Sequence, residues 1–464
     1  MVFSSLIFLF FFLPAALFCY YIVPQNFIRV RNAVLLLFSL FFYFYGEPRL
    51  IGMLIFSILM NYLFGLSMRS TYRKPLLILC VIANLSLLGV FKYLNFFIST
   101  ADSLFGLSIP VTGIVMPIGI SFYTFQSISY LVDIYRRVCE PQKNIIKMGL
   151  FISFFPQLIA GPILKYYDIA AQIDNRKVSL PLFNQGAVRF LQGLAKKIII
   201  ANIMAKTADE IFALGINDIS TPMAWIGIVA YTFQIYFDFS GYSDMAIGLG
   251  KMFGFHINEN FNYPYIATSI KDFWRRWHIS LSTWFKEYLY IPLGGNREGK
   301  FKTYRNLMIV FFMTGLWHGA SWNFVVWGLF HGVFLVLERM LPIEKFLRFR
   351  LIQNIYALLV VMVGWVFFRA ENLTAALDYL KRMFVPYKTD VYSAYLSNEF
   401  MMVAALGLVS CGFLTLIFDK LPVKTEYKFG FLRLVNPAWC AVIAYFSVLL
   451  LASNTYNPFI YFRF

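Results

Sequence analysis

Residues 315–332 read GLWHGASWNFVVWGLFHG, an apolar run rich in Trp and Phe that carries two histidines, His318 and His331. Lipid offers an imidazole no hydrogen-bond partner, so a histidine here must be buried in protein, hydrogen-bonded or engaged in chemistry. Residues 271–297, KDFWRRWHISLSTWFKEYLYIPLGGNR, set His278 in similar company. The chain has only four histidines, and imidazole is the side chain that exchanges protons near neutral pH. His278 and His318 therefore point to proton-transfer chemistry at membrane depth.

The wider composition agrees. Of 464 residues, 60% are hydrophobic and 14% charged, with a mean hydropathy of +0.67. No water-soluble domain has that balance, and apolar stretches of near-spanning length recur from end to end. They begin near Leu6, Ala33, Leu50, Pro75, Val115, Ile145, Ile198, Met223, Asn306, Phe324, Ile352, Phe400 and Ala438. Some are short or broken by Gly and Pro, so the expected crossings number about 10 to 12, with re-entrant segments where polar residues interrupt an apolar run. The fold class is an all-α polytopic membrane protein. The first segment, residues 6–23, lacks a basic leader and a small-residue cleavage site, and reads as a retained span.

The net charge is +17. In a soluble chain that would suggest nucleic acid as a partner. Here the basic clusters, residues 69–74, 136–147, 165–177, 271–276, 297–305 and 339–350, lie between apolar segments, as cytoplasmic loops do. Residues 95–113 carry one charge, Asp102. Alternating these loops places the N-terminus outside, and Lys420, Lys424, Lys428 and Arg433 before the last span send the C-terminal tail outside too. Five cysteines are scattered without a CxxC spacing; the four in apolar runs read as small core residues, and neither disulfides nor a metal site is indicated. Residues 165–182 read as interfacial loop and amphipathic helix.

If residues 271–290 are helical, Trp274, His278 and Ser282 share one face. Two readings fit: a polar face turned to protein or a cavity, or an interfacial helix anchored by Trp and Arg. His318 lies 13 residues beyond Arg305, about 20 Å along a helix and near the bilayer midplane. Gly315 and Gly319 form a GxxxG that admits a neighbouring backbone, and Gly328 and Gly332 repeat it around His331. His331, 13 residues on, points to nearly the opposite helix face. Residues 236–250, YFDFSGYSDMAIGLG, bring Asp238 and Asp244 into an apolar region where Ser240, Gly241 and Ser243 loosen the helix. These carboxylates orient a histidine or bond a substrate; equally, Asp238 neutralises a buried Arg. No HxxxH, GxSxG, P-loop or GxGxxG spacing is present, so zinc, a serine-hydrolase elbow, ATP and nicotinamides are not indicated.

These segments, with MVFSSLIFLFFFLP at 1–14, MPIGISFYTFQSISYLVDIYR at 116–136 and FFPQLIAGPIL at 154–164, resemble the membrane-bound O-acyltransferase superfamily, in its bacterial branch that O-acetylates extracellular polysaccharides. The resemblance implies a ring of about 10–12 transmembrane helices around shorter central helices, with a through-membrane funnel. It implies one domain over residues 1–464: N-terminal helices to 135, a catalytic core over 136–350, C-terminal helices over 351–453, and an aromatic tail over 454–464. The family's catalytic histidine matches His318 in LWHG and its second functional histidine matches His278 in RRWHISLS. Asp238, Asp244, Ser282, Trp274, Trp317 and Asn323 are the supporting candidates.

The implied reaction moves an acetyl group from a cytoplasmic thioester to an extracytoplasmic glycan, alginate-like or of the cell wall, across the bacterial inner membrane. No cofactor is permanently bound; the donor is acetyl-CoA or an acyl-carrier thioester, its phosphates met by Lys271, Arg275, Arg276 and Arg297. His318 takes the proton of the attacking hydroxyl, and His278 orients or polarises the thioester oxygen. The tail FIYFRF at 459–464 resembles the acyl-carrying motif of such systems, with Tyr461 as relay; it also reads as an aromatic belt at the outer interface. A partner transferase of the SGNH type completes the transfer. The rival reading is a transporter or flippase whose His and Asp line a pathway.

Overall fold

A computed structural model describes residues 2–68, 72–341, 346–388, 392–414, 437–453 and 456–460. The described residues are helices and connecting segments without a strand. Among the described residues four helices are long and apolar enough to cross a membrane: residues 28–46, 73–105, 322–340 and 350–369. Shorter apolar helices cover residues 8–22, 51–67, 398–410 and 440–453. Arg69, the basic segment from Lys420 to Arg433, and Tyr461 lie outside the described residues.

The chain forms two compact units that interleave along the sequence: residues 1–190 with 242–258, and residues 191–241 with 259–464. In the first, the helix Ile120–Tyr135 is buried on every side from Ile120 to Leu131. Its sequence, ISFYTFQSISYL, has no polar stripe to turn towards solvent. Buried amides tie two apolar helices of this unit: Asn61 Nδ2 donates to Asn84 Oδ1 at 3.1 Å, and Asn84 Nδ2 returns the bond at 2.8 Å.

The second unit holds His278, His318 and His331. Here the helix Lys300–His318 ends at His318, and Trp322–Met340 begins after a three-residue link. The apolar segments expected to begin near Asn306 and Phe324 are the two arms of a helical hairpin, and because His318 and His331 lie on different arms, the relation expected between them as faces of one helix does not hold. The two glycine pairs are what the hairpin packs through. A Cβ on Gly315 would stand 2.2 Å from the Phe324 carbonyl oxygen, and one on Gly328 would stand 2.2 Å from that of Phe311. One glycine of each pair, Gly315 and Gly328, thus receives the backbone of the opposite arm, while Gly319 and Gly332 face side chains. Gly328→Ala should destabilise the fold by about 1–3 kcal/mol through overpacking. Gly332→Ala should cost less, because its Cβ meets the flexible Met308 sulfur at 3.1 Å. Thermal unfolding in detergent would rank the two.

The helix Thr221–Met252 runs unbroken for 32 residues. The expected loosening at Ser240, Gly241 and Ser243 does not occur. Gly241 is instead a contact point, where a Cβ would lie 2.8 Å from the Gly193 carbonyl oxygen.

Candidate functional site

The helix expected over residues 271–290 is interrupted at the position that matters. Ser269 caps the first turn by accepting the Asp272 N–H, and the helix Ile270–Arg276 follows. Trp277 is then extended, and His278 adopts φ 44° and ψ 55°, a left-handed conformation, before Ile279–Phe285 resumes. A non-glycine residue in that region stores about 1–3 kcal/mol of strain and persists only where surroundings enforce it. They do so here. The Asn262 N–H donates to the Arg276 carbonyl and the Ile279 N–H to the Asn260 carbonyl, both at 2.9 Å. A loop from residues 260–262 thus satisfies backbone groups that the break releases. The common face proposed for Trp274, His278 and Ser282 is therefore not formed.

His278 is fully buried, 0% exposed. Its Nδ1 lies 3.2 Å from Asn260 Oδ1, which also accepts the Ser280 N–H at 3.2 Å and the Ser280 hydroxyl at 2.9 Å. A backbone N–H can only donate, so the Asn260 atom at this junction is its oxygen, and Nδ1 of a neutral His278 carries the proton. Nε2 then bears the lone pair; it is buried and has no hydrogen-bond partner among the described residues. A neutral ring in this tautomer accepts a hydrogen bond at Nε2. In that tautomer Nε2 has no proton to give to a carbonyl oxygen.

His318 shares the chamber. The His278 and His318 ring centroids stand 6.4 Å apart. Trp317 packs on both, at 5.9 and 4.9 Å, Phe239 closes on His278 at 4.7 Å, and Phe368 lies 5.2 Å from His318. A cavity of about 10 Å³ lies against His318, Phe239, Trp277, Trp327, Phe368 and Ile460. That is room for about one water. Trp327 stands between His318 and His331, 5.0 Å from one and 5.3 Å from the other. Of the three histidines only His318 lines the cavity; His278 and His331 do not.

The supporting candidates separate. Trp274 packs on Phe311, Trp327 and His331. Ser282 donates its backbone N–H to the His278 carbonyl at 3.0 Å. Asn323 donates to the Ala370 carbonyl at 2.7 Å, tying two helices. Asp238 takes the neutralising role, with Lys197 as its partner at 2.7 Å instead of an Arg. Asp244, in the first unit, pairs with Arg189 at 2.7 Å. Among the cations, Lys271, Arg275 and Arg297 are exposed. Arg275 and Arg276 both pair with Asp272, and Arg276 also reaches the Asn262 carbonyl.

Sequence reasoning missed Asn260, Ser280, Lys197 and Trp327. Asn260 stands 18 residues before its histidine on a polar loop, where no local spacing signals the contact. Asn260→Leu should lower turnover about tenfold, the weight of one lost hydrogen bond to a reacting group. The check is kcat in folded protein together with the His278 nitrogen-15 shifts, which should report a mixed tautomer.

Two neutral-capable imidazoles in an aromatic chamber, on helices of a membrane protein, suit transfer of a group to a hydroxyl under exclusion of bulk water. The chain belongs to the membrane-bound O-acyltransferase family, whose model matches residues 142–373, and it is a membrane acyltransferase. It is 42% identical to a protein of Pseudomonas putida named "Probable alginate O-acetylase AlgI", over the whole of both chains. It is 48% identical to the Azotobacter vinelandii protein of the same name, over 83% of this chain and 78% of that one. It is 38% identical to the peptidoglycan O-acetyltransferase of Helicobacter pylori, over 82% of this chain and 80% of that one.

Proposed function

We propose that the chain transfers an acetyl group from a cytoplasmic thioester, acetyl-CoA, to a hydroxyl on the path to O-acetylation of an extracytoplasmic polysaccharide. The observation that carries this reading is the pair of buried histidines whose rings stand 6.4 Å apart in one aromatic chamber. The names of the relatives, alginate and peptidoglycan O-acetylating proteins, support the acetyl group and the glycan class.

In this reading the hydroxyl oxygen bonds to the thioester carbonyl carbon and the carbon–sulfur bond breaks. His318 takes the hydroxyl proton and returns it to the leaving sulfur as the free thiol forms. His278 accepts a hydrogen bond at Nε2, which holds the hydroxyl for attack. The surrounding Trp and Phe exclude water that would otherwise hydrolyse the thioester. In this reading Lys271, Arg275 and Arg297, which are exposed, meet the donor's phosphates. Tyr461 as acyl relay, and an extracytoplasmic transferase of the SGNH type as the next station, complete the proposal.

The test is purified protein in detergent with labelled acetyl-CoA and a hydroxyl acceptor. Thiol release coupled to acetyl transfer is the expected result. Substrate movement across vesicles without thioester consumption would replace this reading with a transporter.

A further inference from the structure

The end of the chain returns to the His318 cavity. Ile460 is one of its walls, and both Phe459 and Ile460 are buried. Residues 456–460 are held by polar groups from elsewhere in the second unit. Tyr456 donates its hydroxyl to Asp209 Oδ2 at 2.6 Å. Asn202 Nδ2 donates to Asn457 Oδ1 at 3.3 Å. The Lys197 ammonium donates to the Pro458 carbonyl, and the Ile460 N–H donates to Asp238 Oδ2 at 2.7 Å.

Lys197 and Asp238 are also partners of each other. Their side chains are 3% and 2% exposed, and Lys197 Nζ lies 2.7 Å from Asp238 Oδ1. An ion pair so deeply buried is weak evidence for stability, since desolvation offsets much of the attraction unless the remaining protons and lone pairs also find partners. Here the strap supplies them: a carbonyl for the ammonium and an N–H for the carboxylate, from residues two apart. Both contacts are to backbone, so they set the register of the strap whatever its side chains are. Proline at 458 has no N–H to leave unsatisfied and keeps φ restricted.

We propose that Lys197 and Asp238 are positioning residues, a charged clamp that holds the C-terminal strap in register against the His318 cavity during acyl transfer. The proposal rests on the acyl-transfer reading for its consequence, although the clamp itself does not. A slip of one residue would shift everything beyond the clamp by about 3.3 Å. The cavity has room for about one water, so the wall formed by Ile460 also limits what occupies the space beside His318.

The test uses Ile460→Cys in full-length protein whose five native cysteines are replaced by serine, labelled with a maleimide in detergent. The clamp is removed as Lys197→Met with Asp238→Leu, which leaves no lone buried charge to unfold the chain. Labelling should accelerate about tenfold or more, the weight of one hydrogen bond to a charged group. In the wild-type cysteine background, the same double variant should lose as much acetyl transfer as a chain ending at Asn457. Unchanged labelling would overturn the clamp. Wild-type transfer by the double variant would overturn its part in the reaction. The labelling arm needs no donor, so it stands even if acetyl-CoA proves not to be turned over.

Discussion

Replacing His318 by alanine is expected to lower acetyl transfer by about two to four decades, the contribution of a positioned general base. The side chain is 5% exposed and lines the cavity, so no other described histidine reaches the same atoms. His278 comes nearest, but its ring centroid is 6.4 Å away and its Nδ1 is committed to Asn260. Folding should survive, because the helix Lys300–His318 ends at this residue and the hairpin packs through its glycines. The control is His331→Leu. His331 is fully buried, and neither ring nitrogen has a hydrogen-bond partner among the described residues, so its loss should leave turnover within a few-fold. Transfer by His318→Ala protein at the wild-type rate would remove the base from the mechanism.

Lys197→Met alone is expected to destabilise the protein by about 3–5 kcal/mol, the cost of leaving one member of a buried pair uncompensated. The Asp238 carboxylate would keep only the Ile460 N–H among the partners described above. The double replacement with Asp238→Leu should recover most of that loss, since apolar side chains of similar volume suit the site once both charges are gone. Chemical unfolding in detergent across the two single variants and the double variant gives the coupling between them. Additive losses would mean that the pair is not coupled in the folded state.

Membrane residence and helical class were legible because hydropathy and apolar run length are local properties. The glycine pairs around His318 and His331 were legible as close-packing signals, and the structure uses both. What misled was the assumption of continuity. Nothing in RRWHISLS or HGASW forbids a further helical turn, so local sequence allows a helix over residues 271–290 and relates His318 to His331 as faces of one helix. A break was drawn at residues 240–243, where Ser and Gly weaken a helix; packing of Gly241 against the Gly193 backbone keeps it intact.

The sequence by itself determined that this chain is a helical membrane protein of an acyltransferase family, and it singles out His318 and His278 as the candidates for its chemistry, through residue type, spacing and family motif. Only the tertiary structure decided which way His278 presents its lone pair and what stands beside His318. Both depend on groups remote in sequence. Asn260 sets the His278 tautomer from 18 residues away, and Ile460 reaches the cavity because Asp238, 222 residues earlier, accepts its N–H. Hydrogen bonds between distant residues form only after the helices pack, so no local pattern encodes them.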